Sequence, residues 1–404
     1  MATQSIALSD PSTPTSITTT PPPITPPKVI WSIKPTCGIE VTNLPLGQLT
    51  STQLSQVKTN LSNHGVVYFR NIGADNNATP FTPPEHVQFA QKFGAININN
   101  YFTPLQNHSE IAVVEKLPHQ QMAVGDGMHT DHSYELSPAC GSILVARQVP
   151  KEGGDTVFVD MSKAYESLPI SIKHRINTMR AVHSSEHIFG RPRIDAGTGK
   201  PLYNDASALK NALQKTTTHP VVIKHPTSGN TVLFVNPAFT THFEGMTCDE
   251  SKQLLNILYT HALQPQHMHR FKWSPNSAVF WDNRAVWHCA MNDYAGQHRL
   301  MHRITIDGEP LEPAFPNLCD RSIETGEQDK RDPFNTVHWP YSILDMSYVQ
   351  LMQESMETGM NSVAYTGAYK WWELRWWERT VVRGGSFFGM NFIPLKLHDT
   401  KSKL

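Results

Sequence analysis

The stretch 280-FWDNRAVWHCAMNDYAGQHRLMHR-303 decides the fold. It holds one candidate metal ligand, His288, followed by two spaced cations, Arg299 and Arg303. The apolar run Ser277–Trp281 leads in as a strand, and Asp282-Asn283-Arg284 reads as a turn. Alone, this is any buried strand pair bearing a histidine. A second segment far upstream, Met128-His129-Thr130-Asp131-His132, changes the reading. Residues two apart on an extended strand project from one face, so His129 and Asp131 can bind one ion together. With His288 they make two nitrogens and one oxygen, the facial set that leaves open positions on Fe(II). His108-Ser-Glu110 and His242-Phe-Glu244 fit the same loose spacing but lack its context, and read as surface or packing residues.

The context is three long pieces in order: HTDHSYELSPACGSILVARQVPKEGGDT, HPVVIKHPTSGNTVLFVN and the stretch above. Together they resemble the taurine/2,4-D dioxygenase (TauD/TfdA) family of Fe(II)- and 2-oxoglutarate-dependent oxygenases, from about residue 66 to about 309. The resemblance implies that His129, Asp131 and His288 ligate Fe(II) and are the catalytic centre. It implies that Thr156 and Arg299 hold the distal carboxylate of 2-oxoglutarate; a guanidinium fork and a hydroxyl suit that group. Arg303 matches the position that contacts the substrate anion in the taurine enzyme. His132 and Trp287 neighbour the ligands as supporting or packing residues.

The implied activity is oxidation of a C–H bond of a small anionic substrate by O2, with release of succinate and CO2. Asp131 leaves no ligand vacancy for a halide, so hydroxylation is the default outcome. Asn99, Phe102 and Phe239 join Arg303 as candidate substrate contacts. Asn99 and Phe102 stand where the taurine enzyme has His and Tyr, and Gly125 where it has Asn, which argues against taurine itself. A sulfonate, carboxylate or amino acid is expected. The alternatives are a natural-product oxygenase that hydroxylates, desaturates or closes a ring on an amino acid, and a jelly-roll protein that binds metal without catalysis.

Taken in order, the 404 residues begin with an uncharged Ser/Thr/Pro-rich arm, 1–28, that reads as disordered. An oxygenase domain is expected over 29–310, mainly β with flanking helices, as a double-stranded β-helix (jelly roll). Helices are expected at 50–63 and 82–93, and within 157–168. Thr247-Cys-Asp-Glu250 is a capping box opening another. The segments 221–225 and 231–235 form a hairpin, and 186–218 reads as an insertion over the mouth of the site. Beyond, 311–404 reads as a helical, Trp-rich extension packing on the core; a dimer contact or a pocket wall are the alternatives, which keeps a homo-oligomer open.

Lys and Arg number 34 against 35 Asp and Glu, which argues against nucleic acid as a partner. Five scattered cysteines fit a reducing compartment. No apolar run reaches the roughly 20 residues that cross a bilayer. The terminal Ser402-Lys403-Leu404 reads as a peroxisomal address, with cytoplasm as the alternative.

Overall fold

The computed structural model describes residues 28–99, 101–189, 194–195, 197–199 and 215–316. The chain opens with β1 (Ile30–Ile33), β2 (Ile39–Thr42), α1 (Ser51–His64), β3 (Val66–Arg70), α2 (Ala74–Asn77) and α3 (Pro83–Gln91). Strands β4 (Ile96–Asn97), β5 (Pro104–Leu105), β6 (His108–Lys116), β7 (Gly141–Gln148) and β8 (Thr156–Asp160) follow. Then come α4 (Met161–Glu166), α5 (Ile170–Ile176), β9 (Arg180–Ser184), α6 (Glu186–Phe189) and β10 (Thr216–Pro220). Next are β11 (Val222–Lys224), β12 (Thr231–Leu233), β13 (Thr240–Phe243) and α7 (Cys248–Ala262). The last described elements are β14 (Met268–Phe271), β15 (Ser277–Asp282), β16 (Val286–Ala290) and β17 (Arg299–Ile306).

The large sheet runs β1-β2-β3-β15-β7-β17-β6-β5, with β4 also on β17. A smaller sheet, β14-β8-β16, faces it. Pairing is antiparallel apart from β2 with β3. Period-two alternation sends neighbouring residues of the central strands into different cores. Ile143, Val145, Ala278, Phe280, Ile304 and Ile306 pack outward with residues of α1 and α3. Leu144, Ala146, Val279, Trp281 and Met301 turn inward, where Phe158 and Phe271 of the smaller sheet meet them. The smaller sheet's outer face, with Val157, Val159, Trp287 and Cys289, packs with Leu254, Leu255 and Leu258 of α7. Two sheets enclosing an inner core, with helices outside, form the jelly roll, and strands buried on both faces explain the continuous apolar runs in the sequence.

Local chemistry sets the helix ends. Thr50 with Gln53, Thr82 with Glu85 and Thr247 with Glu250 all form reciprocal capping boxes. Gly65 ends α1 at φ 72°, and a side chain there would come within 2.8 Å of Val286. The helix expected within 157–168 is α4, 161–166; β8 continues through Asp160, whose side chain caps it. Similarly, 186–189 is helical and 216–218 belongs to a strand; most of the residues between lie outside those described. The 1–28 arm, the Trp-rich extension and the terminal Ser-Lys-Leu lie outside them too, apart from Lys28 and residues 311–316. No helix among the described residues is long and apolar enough to cross a membrane.

Candidate metal and co-substrate site

Strand β16 pairs with β8 in the register His288 opposite Phe158. That register points His288 into the space between the sheets, while Trp287 and Cys289 turn to the outer core. Trp287 is therefore a packing residue, its indole N–H donating to the Val235 carbonyl (2.7 Å). The ring beside the ligand is Trp281, whose centroid lies 4.6 Å from that of His288.

His129 and Asp131 do not share a strand, contrary to the sequence expectation. His129 makes an isolated bridge to His288, each backbone N–H donating to the other's carbonyl (3.1 and 2.9 Å). Asp131 sits in the turn that follows, where His132 takes φ 56°. The same-face argument succeeds locally because one bridged residue is extended enough to aim both side chains inward.

The ligand atoms of His129, Asp131 and His288 lie within 4.8 Å of one another. His129 Nε2 is 3.5 Å from Asp131 Oδ1, and His288 Nε2 is 3.8 Å from Asp131 Oδ2. The His129 Nδ1–H donates to the Gly127 carbonyl (2.7 Å), which leaves Nε2 as the free lone pair. Burial, and then the neighbouring His129, push the His288 imidazole well below its usual pKa, into the neutral form a metal needs. Burial opposes ionisation of Asp131. Against it, the Arg303 guanidinium, then His288 and His129, hold the carboxyl well below the usual range. Two imidazoles and one carboxylate suit a divalent first-row metal.

Arg299 and Arg303 are the first and fifth residues of β17, on the same face as Met301 of the inner core. Arg299 is 4% exposed; its Nε–H donates to the Gly154 carbonyl (3.0 Å), and its buried Nη2 has no hydrogen-bond partner among the described residues. Beside it, the Thr156 hydroxyl accepts from the Trp273 indole (3.0 Å). A buried guanidinium N–H without an acceptor is costly, and a carboxylate would satisfy it. Arg303 Nη2 pairs with Asp131 Oδ2 at 2.7 Å, while its buried Nε also lacks a partner. These observations fit Fe(II) on the three side chains and a dicarboxylate beside it.

One open cavity gathers the predicted residues. His129, Asp131, His288, Thr156, Arg299, Arg303, Asn99, Phe102 and Phe239 all line it, as do Gly125 and His132. His108, Glu110, His242 and Glu244 do not. Of the aromatic wall, sequence reasoning named Phe239 and missed Tyr101, Tyr134 and Phe189. Tyr101 stacks on Phe189 (4.8 Å, 18°), Phe189 and Tyr134 both approach Phe239 (6.1 and 4.8 Å), and Phe239 meets His129 edge-on (6.3 Å). Tyr134, three residues beyond Asp131, was legible from its place in the quoted motif; nothing in the sequence marks Phe189.

The family model for taurine catabolism dioxygenase TauD, TfdA family, matches residues 31–305. The chain belongs to this family. An alkylsulfatase of Acinetobacter baylyi is 31% identical over 276 residues, covering 67% of this chain and 82% of that protein. An alpha-ketoglutarate-dependent sulfonate dioxygenase of Saccharomyces cerevisiae is 30% identical over 298 residues, or 70% and 68% of the two chains. A crystal structure of a taurine dioxygenase from Burkholderia xenovorans superposes with a TM-score of 0.57 at 29% identity, covering 70% and 90%. This TauD-family protein is accordingly a non-haem dioxygenase that uses Fe(II), 2-oxoglutarate and O2.

Proposed function

We propose that the enzyme oxidises a C–H bond of an organic anion with an apolar body, with His129, Asp131 and His288 as iron ligands. The observation that carries this reading is one cavity lined both by two buried arginines whose N–H groups are in part unpaired among the described residues and by a run of touching aromatic rings. The alkylsulfatase and sulfonate dioxygenase names of the relatives agree with an anionic substrate.

In this reading Arg299 and Thr156 receive the distal carboxylate of 2-oxoglutarate, so the co-substrate enters in one orientation. Gly127 holds His129 as the tautomer that keeps Nε2 free. Arg303 holds Asp131 in place through Nη2 and offers Nε to the substrate's anionic end. Tyr134 and Tyr101 remain neutral phenols, since burial raises both well clear of neutral pH. Together with Phe189 and Phe239 they exclude water from the reacting carbon and bind the substrate body. The bound iron, with 2-oxoglutarate and O2, supplies an oxidant strong enough for an unactivated C–H bond, and succinate and CO2 leave.

The test is an anaerobic titration of metal-free protein with Fe(II) and 2-oxoglutarate, following the visible charge-transfer band of the chelate. Paired anions then perturb the band: taurine against an arylalkyl sulfonate, and ethyl against hexyl sulfate. The apolar-bodied member of each pair is expected to saturate at lower concentration. Equal or reversed preference removes the substrate reading; absence of the band with metal bound removes the ligand assignment.

A further inference from the structure

Between β6 and His129 the chain runs through residues 117–128 without helix or strand, yet this loop builds part of the site. Val124, Gly125, Asp126 and Gly127 line the cavity. The loop is tied to the metal-ligating segments twice at its far end. The Ala290 N–H, two residues beyond His288, donates to the Gly125 carbonyl (2.8 Å), and His129 Nδ1–H donates to the Gly127 carbonyl (2.7 Å).

A carboxylate from a distant part of the chain, that of Asp195, grips the loop's middle. Its Oδ2 accepts the backbone N–H groups of Gln121 and Met122, both at 2.8 Å. Its Oδ1 accepts those of Gly197 (3.0 Å) and Thr198 (2.9 Å). The approach is close: a side chain at Gly197 would lie 2.2 Å from the His119 carbonyl. On the other side, the Asn292 amide donates to the Gln121 carbonyl (2.9 Å). Bonds from backbone N–H to a carboxylate are about twice as strong as neutral ones, so four on one group make a firm clamp.

We propose that Asp195 is a positioning residue for the iron site. It pins Gln121 and Met122, so Gly125 and Gly127 present their carbonyls at fixed positions, and the Gly127 carbonyl sets the tautomer and ring orientation of His129. The inference rests on the reading of His129 as an iron ligand. Groups that orient a metal-binding histidine typically contribute ten- to a hundred-fold in metal affinity. Asp195 acts one step further out, so its removal is expected to weaken Fe(II) binding about tenfold.

The experiment uses the full-length protein carrying Asp195→Ala or Asp195→Asn. Hydrogen exchange at Gln121 and Met122 is followed in the metal-free protein, and Fe(II) affinity is measured by competition with a chelating dye. The alanine variant should exchange faster at both amides and bind Fe(II) about tenfold more weakly. The asparagine variant keeps one acceptor oxygen and should fall between it and wild type on both readouts. Faster exchange with unchanged affinity overturns the proposal, as does unchanged exchange. Should the alanine variant fail to fold, the asparagine variant decides by the same two readouts; if it too is unfolded, Asp195 supports the whole fold and the local role is overturned. Wild-type protein that binds no Fe(II) would instead refute the ligand assignment, while the exchange result would still report on the clamp.

Discussion

Two buried aspartates, Asp282 and Asp131, are surrounded by the same kinds of residue and end in opposite states. Asp282 closes β15, is 2% exposed, and is saturated. Oδ1 accepts from the backbone N–H and Nε–H of Arg284, both at 2.9 Å, and Oδ2 accepts from Arg284 Nη2 (2.6 Å) and His225 Nε2 (3.0 Å). The His225 ring is fixed in turn, Nδ1 accepting from the Ser228 backbone and hydroxyl (3.1 and 3.0 Å). Asp131, 5% exposed, also has an arginine and histidines. Its Oδ1 faces His129 Nε2 at a long 3.5 Å, though, and its arginine keeps a buried Nε without a partner among the described residues. Composition does not separate a structural centre from a reactive one; unfilled donor and acceptor capacity does. A protein keeps such costly vacancies where a ligand completes them.

The sharpest break of this comparison is to empty each centre. His288→Ala should abolish the Fe(II)·2-oxoglutarate band while leaving the fold intact, because the imidazole closes no internal hydrogen bond through Nδ1 among the described residues. Circular dichroism and the anaerobic titration check both halves. A band that persists in this variant would sink the ligand assignment.

Asp282→Asn should do the reverse. Leaving the Arg284 guanidinium without its countercharge costs about 3–5 kcal/mol of stability, read as a lower midpoint in denaturant, with Fe(II) affinity of the folded fraction unchanged. The effect carries a pH signature. Burial opposes ionisation of Asp282, but Arg284 and then His225 hold its carboxyl far below the ordinary range. A depressed folded-state pKa contributes stability that is fully present above the unfolded value of about 3.9 and is lost as pH falls from there through the folded value. The stability gap between wild type and Asp282→Asn should therefore hold down to about pH 4 and narrow as the pH falls below it. A gap that stays constant below that pH would mean the carboxylate charge is not what matters there.

The contrast also explains what the sequence disclosed. Strands buried on both faces announce themselves as apolar runs, so β7, β15 and the β11–β12 hairpin are legible. The helix starts were legible because Thr50, Thr82 and Thr247 each carry their Gln or Glu three residues on. The His129–Asp131–His288 cluster and the two arginines of the cavity were legible through spacing and family likeness. The bridge-and-turn geometry of 129–132 was not, because one bridged pair with a positive φ at His132 has no periodicity. Nor was the exchange of roles between Trp287 and Trp281: both neighbour the ligand strand, and only the β8–β16 register decides which ring meets His288. Phe189 was invisible because its place in the cavity depends on contacts with Tyr101, Tyr134 and Phe239, all distant in sequence.

Arg299→Ala tests the co-substrate half of the open centre. Losing one or more charged hydrogen bonds, each about 1.5–3 kcal/mol, should raise the 2-oxoglutarate needed for half-maximal band roughly ten- to a hundred-fold. Fe(II) binding without 2-oxoglutarate should stay near wild type, because Arg299 touches Gly154 and not the ligands. A parallel loss of bare metal affinity would instead make Arg299 part of the scaffold of the iron site.

The smallest effect lies where the two centres come nearest in bonding. Ser142 Oγ donates to Asp131 Oδ2 (3.1 Å) and accepts from Asn283 (3.4 Å), the residue between Asp282 and Arg284. Ser142→Ala deletes one neutral donor to a carboxylate that still has Arg303, so the loss should be about 1 kcal/mol, a roughly fivefold weaker hold on Fe(II). If the open and closed centres are independent, the acid midpoint of unfolding should not move, because Asp282 keeps all four of its donors. A shifted acid midpoint in Ser142→Ala would show that Asn283 couples them. The saturated aspartate would then be part of how the open one is held.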